Sequence, residues 1–165
     1  GWDVAKKKGL FGFGGGNQSI DLDASCFMFD DNNQPVDLVY FGHLRSNDGS
    51  IQHSGDNLTG EGDGDDEQIA VNLARVPAQV KSLVFTVNNF TGQDFSQVEN
   101  AYCRLVDGQS GKEIARYDLS AQGKHTAQVM AKLYRHNGEW KMHAIGENGQ
   151  GRTADELLPL IAPHL

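Results

Sequence analysis

A chain of 165 residues, 38% of them hydrophobic, is a single domain (1–165) by length, with enough apolar material for a real core. Its formal net charge of −8 and sequence pI of about 5.1 exclude nucleic acid as a direct partner. No apolar run is long enough for a spanning helix, so membrane insertion is not expected.

Taken in chain order, Lys6-Lys7-Lys8 is the only basic cluster and reads as a solvated end. In Gly12-Phe-Gly-Gly-Gly16 the third glycine of a dinucleotide fingerprint would fall on Asn17, and no helix pattern follows, so this is a loop. The next run alternates. Ile20, Leu22, Ala24, Cys26 and Met28 fall on one face of a strand over 20–29, while Asp21 and Asp23 project side by side from the other. A second strand is expected over 36–41, and Asp48-Gly49 marks a turn.

Residues 54–67, Ser-Gly-Asp-Asn-Leu-Thr-Gly-Glu-Gly-Asp-Gly-Asp-Asp-Glu, hold six carboxylates and four glycines with no Lys, Arg or His. Carboxylates roughly 6 Å apart repel by about 0.7 kcal/mol per pair even in water, and more strongly against protein. Every donor is an oxygen, Asn57 and Thr59 included, which favours Ca²⁺ over Mg²⁺ and disfavours zinc. A solvated acidic loop is the competing reading. An EF-hand fails on register: counting from Asp63 puts Gln68 where the turn needs glycine, and counting from Asp56 puts Leu58 at position 3.

Ile69, Val71 and Leu73 alternate with polar or small residues in a half-buried strand over 68–73 that leaves the acidic loop. Further strands are expected over 81–88, 97–106 and 112–119, with Asp107-Gly108 turning the last two into a hairpin. The segment 126–134 suits a helix by composition, but its position before Asn137-Gly138 and the apolar run 140–145 favours a hairpin. Thr153 and Glu156 form a capping box for a short helix that Pro159 should end or kink. These elements compose an all-β fold, an antiparallel β-sandwich with a short C-terminal helix.

The six histidines lack metal-ligand spacing and are expected on the surface. Cys26 and Cys103 lie in apolar runs and read as buried thiols of a reducing compartment, so the cytoplasm is expected. Neither has the flanking charge or Cys-x-x-Cys spacing that lowers a thiol pKa; Arg104 follows Cys103, but adjacent strand residues face opposite ways. No nucleophile is paired with a base, and carboxylates in a glycine-rich loop lack the burial that raises a pKa, so no enzyme activity is expected.

Gly1-Trp-Asp3, Ile20-Asp-Leu-Asp-Ala-Ser25, the acidic run from His53 to Glu67, and Glu113-Ile-Ala-Arg-Tyr-Asp-Leu119 together resemble the TerD family of tellurium-resistance and stress proteins, from residue 1 to about 146. Residues 12–16, Phe85-Thr-Val-Asn88 and Gly151-Arg-Thr153 are most similar to its TerZ branch. The resemblance implies a non-enzymatic calcium-binding β-sandwich acting in resistance to tellurite and chemical stress. Carried over by position, the ligands are Asp21, Asp23, Asp56, Asn57, Glu61, Asp63, Asp65, Asp66 and Glu67, with carbonyls of Gly60 and Gly64. So many donors imply two adjacent Ca²⁺ ions. Implied partners are other stress and tellurium-resistance proteins, some membrane-associated. The alternative is a secreted calcium-dependent adhesin or lectin-like sandwich, which the two thiols disfavour; a metal-assisted hydrolase ranks below both. Family members usually carry an opening strand before Gly-Trp-Asp, and the chain starts at Gly1, so an upstream segment or an exposed sheet edge is expected.

Overall fold

The computed structural model describes residues 2–4, 20–58, 65–120 and 123–165. Residues 6–8 and 12–16, and among the ligand candidates Thr59, Gly60, Glu61, Asp63 and Gly64, lie outside the described residues. The strands are β1 (Asp3–Val4), β2 (Leu22–Asp30), β3 (Pro35–Val39), β4 (Ile51–His53), β5 (Ile69–Val71), β6 (Val80–Asn89), β7 (Val98–Glu99), β8 (Tyr102–Val106), β9 (Glu113–Asp118), β10 (Ala127–His136) and β11 (Glu139–Gly149). One helix, α1 (Leu158–Ile161), lies near the C-terminus.

Five strands form an antiparallel sheet in the order β11-β10-β6-β2-β3, and β1-β7, β4-β5 and β8-β9 pair as two-stranded antiparallel pieces. The fold is therefore mostly antiparallel β with a short C-terminal helix, the class expected. On one face of the large sheet, Met28, Leu83, Phe85 and Met130 pack with residues of the two hairpins, among them Ile51, Ile69, Cys103 and Leu105. The other face carries Phe27, Phe29, Val84, Ala127 and Val129, and these are covered by Ala154, Leu157 and Ile161. Strand β2 is thus buried on both sides. Each fully buried Leu, Ile or Phe contributes about 1.5–3 kcal/mol, so the C-terminal segment is part of the core. Trp2, Ile20, Leu22, Val87, Phe95 and Leu119 make a third cluster.

Several expectations are refined. The ambiguous segment 126–134 is strand β10, and Asn137 (φ 50) with Gly138 (φ 78) forms the two-residue, positive-φ turn into β11. The strand expected over 97–106 is broken into β7 and β8 at Asn100, whose φ of 53 cannot continue a strand. β4 was not anticipated, because three residues between Ser50 and Ser54 are too short to show a period. The capping box is displaced by one residue. Glu156 Oε2 accepts from the Arg152 N–H (3.0 Å), Glu156 Oε1 accepts from Thr153 Oγ1 (3.3 Å), and the Thr153 side chain caps no backbone N–H. Pro159 falls in the first turn of α1, where its missing N–H costs nothing, so it opens the helix instead of ending it.

Among the described residues β5 pairs only with β4 and β8 only with β9. Between those two edges lies an open cleft of about 990 Å³ lined by Leu22, Phe85, Val87, Met130 and Leu133.

Candidate functional site

Strand β3 covers β2 only from Cys26 to Phe29, leaving the start of β2 without a strand on that side among the described residues. The end of the acidic loop takes that place: Glu67 Oε2 accepts from the Ala24 N–H at 2.9 Å. Asp23 on β2 and Asp21, one residue before its start and in the same alternation, meet Glu67 and Asp56 there. Ligand oxygens of Asp21, Asp23, Asp56 and Glu67 all lie within 4.8 Å of one another. The strand pair β4-β5 brings the two loop ends together, since His53 pairs with Ile69 and the Ser54 N–H donates to Gln68 O at 2.8 Å.

Burial makes this cluster electrostatically costly. Asp21 is 7% exposed and Asp23 2%, and one oxygen of each, Oδ1, has no hydrogen-bond partner among the described residues. Burial, then the neighbouring Asp56 and Glu67, pushes the Asp21 carboxyl up to about 6. Asp23 is pushed up to about 8 by burial first, then by Asp21, Glu67 and Asp56, with only Asn88 acting the other way. Asp56 is raised too, again by burial and Glu67. The expected lack of burial concerned the loop carboxylates; the groups most strongly raised are Asp21 and Asp23, beside Asn88 of β6, while of the loop carboxylates Asp56 is raised and Asp65 lowered.

The other ligand candidates have different partners. Asp65 accepts from Arg104 Nε (3.0 Å to Oδ1) and Nη2 (2.8 Å to Oδ2) and from the Tyr102 hydroxyl (2.9 Å), which holds its carboxyl below the usual range. Asp66 accepts from the Trp2 N–H (2.7 Å) and from Asn57 Nδ2 (3.3 Å), and the Asn57 N–H donates to Glu67 Oε1 (3.2 Å). Asp65 and Asp66 thus tie the loop to β8 and to Trp2.

Two functional residues escaped the sequence reading. His53, expected on the surface, is 1% exposed and its Nε2 lies 3.3 Å from Glu67 Oε2. The inward alternation of Ile51 and His53 was the available signal, too short to read. Asn88, 1% exposed, donates from Nδ2 to Asp23 Oδ2 (3.4 Å) and to the Arg152 carbonyl (2.7 Å), joining the cluster to the C-terminal segment.

The donor set fits a hard cation. All four groups are carboxylates, two of their buried oxygens have no donor among the described residues, and oxygens around Ca²⁺ at about 2.3–2.6 Å stand at most about 5 Å apart. A bound cation would supply the positive charge that the described residues lack at this point.

The thiols offer no comparable chemistry. Cys26 is fully buried and its thiol is pushed far up by burial; Cys103 is pushed up to about 12 by burial and sits 3.5 Å from Gln128 Oε1. Because the thiolate is the nucleophile and ligand, native protein at pH 8 should react negligibly with a disulfide reagent over the time in which two equivalents react in denaturant. Rapid labelling of either thiol in the native state would contradict this.

A mostly antiparallel β fold with a carboxylate cluster at the root of an Asp- and Gly-rich loop defines the class to which this chain is assigned by comparison. The TerD domain profile matches residues 1–160, and the chain belongs to the TerD family. It is 56% identical over 158 residues to tellurium resistance protein TerZ of Serratia marcescens, covering 95% of this chain and 81% of that protein. Identity to tellurium resistance protein TerD of the same organism is 41% over 162 residues (93% and 80% covered), in line with the TerZ-like features. General stress protein 16U of Bacillus subtilis (strain 168) is also 41% identical, over 162 residues, with 93% of this chain and 80% of that protein covered. The crystal structure of a homologue of telluride resistance protein (TerD) from Streptomyces coelicolor A3(2) superposes with a TM-score of 0.78 at 21% identity, covering 98% of this chain and 90% of that one, and shares the fold. Among the described residues, no helix is long and apolar enough to cross a membrane.

Proposed function

We propose that this chain is a calcium-binding, non-catalytic protein of the cytoplasm that acts in resistance to tellurite and other chemical stress. The observation that carries the reading is the pair of buried, donorless oxygens on Asp21 and Asp23 facing Asp56 and Glu67. The names of relatives at 41–56% identity supply the stress and tellurium context. Asp23 holds a fixed position on β2 and Asp21 stands just before it, and Asp56 and Glu67 bring both ends of the loop to them. Occupancy of the cluster therefore decides whether residues between the two ends are drawn in, and with them the surface offered to partner proteins of the stress response. Two free thiols without a disulfide support a reducing compartment.

Calorimetry on chelator-stripped protein tests this directly. Micromolar or tighter Ca²⁺ binding is expected, with Mg²⁺ weaker, and with a second equivalent if Glu61 and Asp63 complete an adjacent site. Asp21→Asn should abolish the tight event, whereas Asp65→Asn should leave it nearly intact, because Asp65 spends its oxygens on Arg104 and Tyr102. No heat of binding would refute the calcium reading, and a single equivalent would refute the two-ion form.

A further inference from the structure

We propose that His53 is a positioning residue of this cluster: its imidazole, held as the Nε2–H tautomer, orients the Glu67 carboxylate toward Asp21, Asp23 and Asp56. The inference rests on the cation-site reading above and concerns a residue that is not an oxygen donor to it.

The tautomer follows from a backbone contact. The Gly55 N–H donates to His53 Nδ1 at 3.0 Å, so that nitrogen carries a lone pair and the ring hydrogen resides on Nε2. Nε2 has no aligned hydrogen-bond partner among the described residues, and what faces it at 3.3 Å is Glu67 Oε2. Both side chains are shut away from water, His53 at 0% and Glu67 at 2% side-chain exposure, so this polar hydrogen has no solvent to turn to. Slight rotation of the carboxylate completes the bond. The ladder makes the meeting unavoidable: His53 pairs with Ile69, and Glu67, two residues before Ile69, falls on the same face as its diagonal neighbour.

Glu67 needs such a guide more than its neighbours do. Asp21 and Asp23 are short side chains, at the start of β2 and just before it, whereas Glu67 has three rotatable bonds and lies at the end of a loop. Its Oε2 is held by the Ala24 N–H and faced by His53, and its Oε1 is held by the Asn57 N–H. Donors from β2, β4 and the loop therefore converge on one carboxylate and fix how it faces the cluster. The same division of labour, a ligand set by an outer donor, typically changes metal affinity by about 10–100-fold when the donor is lost.

The test combines two measurements. In wild-type protein stripped with chelator, long-range ¹H–¹⁵N spectra of the imidazole should show a bare Nδ1 and a protonated Nε2; the opposite tautomer, or a rapidly averaging ring, would overturn the inference without any variant. Calorimetry with Ca²⁺ should then show His53→Phe, which keeps a ring but no donor, weakened about 10–100-fold, and His53→Gln, whose amide nitrogen approximates Nε2, restored to within a few-fold of wild type. Equal binding by wild type and both variants, or equal weakening of both variants, overturns it. Melting in chelator identifies a variant that does not fold, in which case the tautomer spectrum decides. Failure of the underlying reading looks different: wild type itself would not bind, or Asp23→Asn would bind as wild type does.

Discussion

Asp23→Asn is expected to stabilise the chelated protein and to abolish its response to calcium. Asp23 is 2% exposed, its Oδ1 has no partner among the described residues, and burial together with Asp21, Glu67 and Asp56 pushes its carboxyl up to about 8 from an ordinary 3.8. Near neutral pH the native protein must either keep a proton there that the unfolded chain would release or bear a fourth crowded charge. An amide removes that choice: its oxygen still accepts from Asn88, and its hydrogens face the carboxylates of Asp21 and Glu67. The relief is on the order of a few kcal/mol, or roughly 5–10 °C in melting temperature for a domain of this size. Without chelator, micromolar affinity and millimolar Ca²⁺ would stabilise wild type by about 4 kcal/mol, about 8–16 °C; the variant should lose most of that shift. A variant that melts lower than wild type in chelator, or keeps the calcium shift, would refute the cation-site argument.

The pH dependence has a definite sign. Asp21 (about 6) and Asp23 (about 8) both lie above their unfolded value of 3.8, so the native chelated state binds the extra protons. Its stability therefore falls as pH rises from about 4 to about 8 and levels off above. Calcium competes with those protons, so the calcium-induced rise in melting temperature should be larger at pH 8 than at pH 5. Differential scanning at both pH values, with and without chelator, reads this out.

Removing residues 151–165 is expected to cost the native fold, and with it the cluster. Leu157 and Ile161 are fully buried, and with Ala154 they cover Phe27, Phe29, Val84, Ala127 and Val129. Further ties are the His164–Glu147 pair, Lys132 Nζ donating to the His164 carbonyl, and the Asn88 bond to the Arg152 carbonyl. Gly151 belongs to the same fit, since a Cβ there would stand 2.5 Å from Cδ2 of the fully buried Leu157. Leu157→Ala alone should cost about 2–5 kcal/mol through the cavity it leaves. The truncated chain should lose near-ultraviolet dichroism and its cooperative melt; a melt within a few degrees of the full chain would refute the assignment of this segment to the core.

What could be read before folding was local. The alternation that sets Asp23 of β2 and Asp21 just before it on one face, the positive-φ turn at Asn137-Gly138, the half-buried Ile69 and Val71, and the density of carboxylates in residues 54–67 all follow from period-two geometry, backbone preference and charge within a few residues. The same rules carried the all-β class, because most strands show their own period. What the tertiary structure alone decided is which groups meet. Asp65 and Glu67 are two residues apart and chemically alike, yet one is drawn to Arg104, 39 residues away, and the other to Ala24 and His53. His53 and Asn88 enter the site, and the C-terminal segment seals the second face of β2, because packing distant segments removes water from particular faces. That desolvation pushes the carboxyls of two ordinary aspartates up to about 6 and about 8, and no property of the neighbouring residues in sequence encodes it.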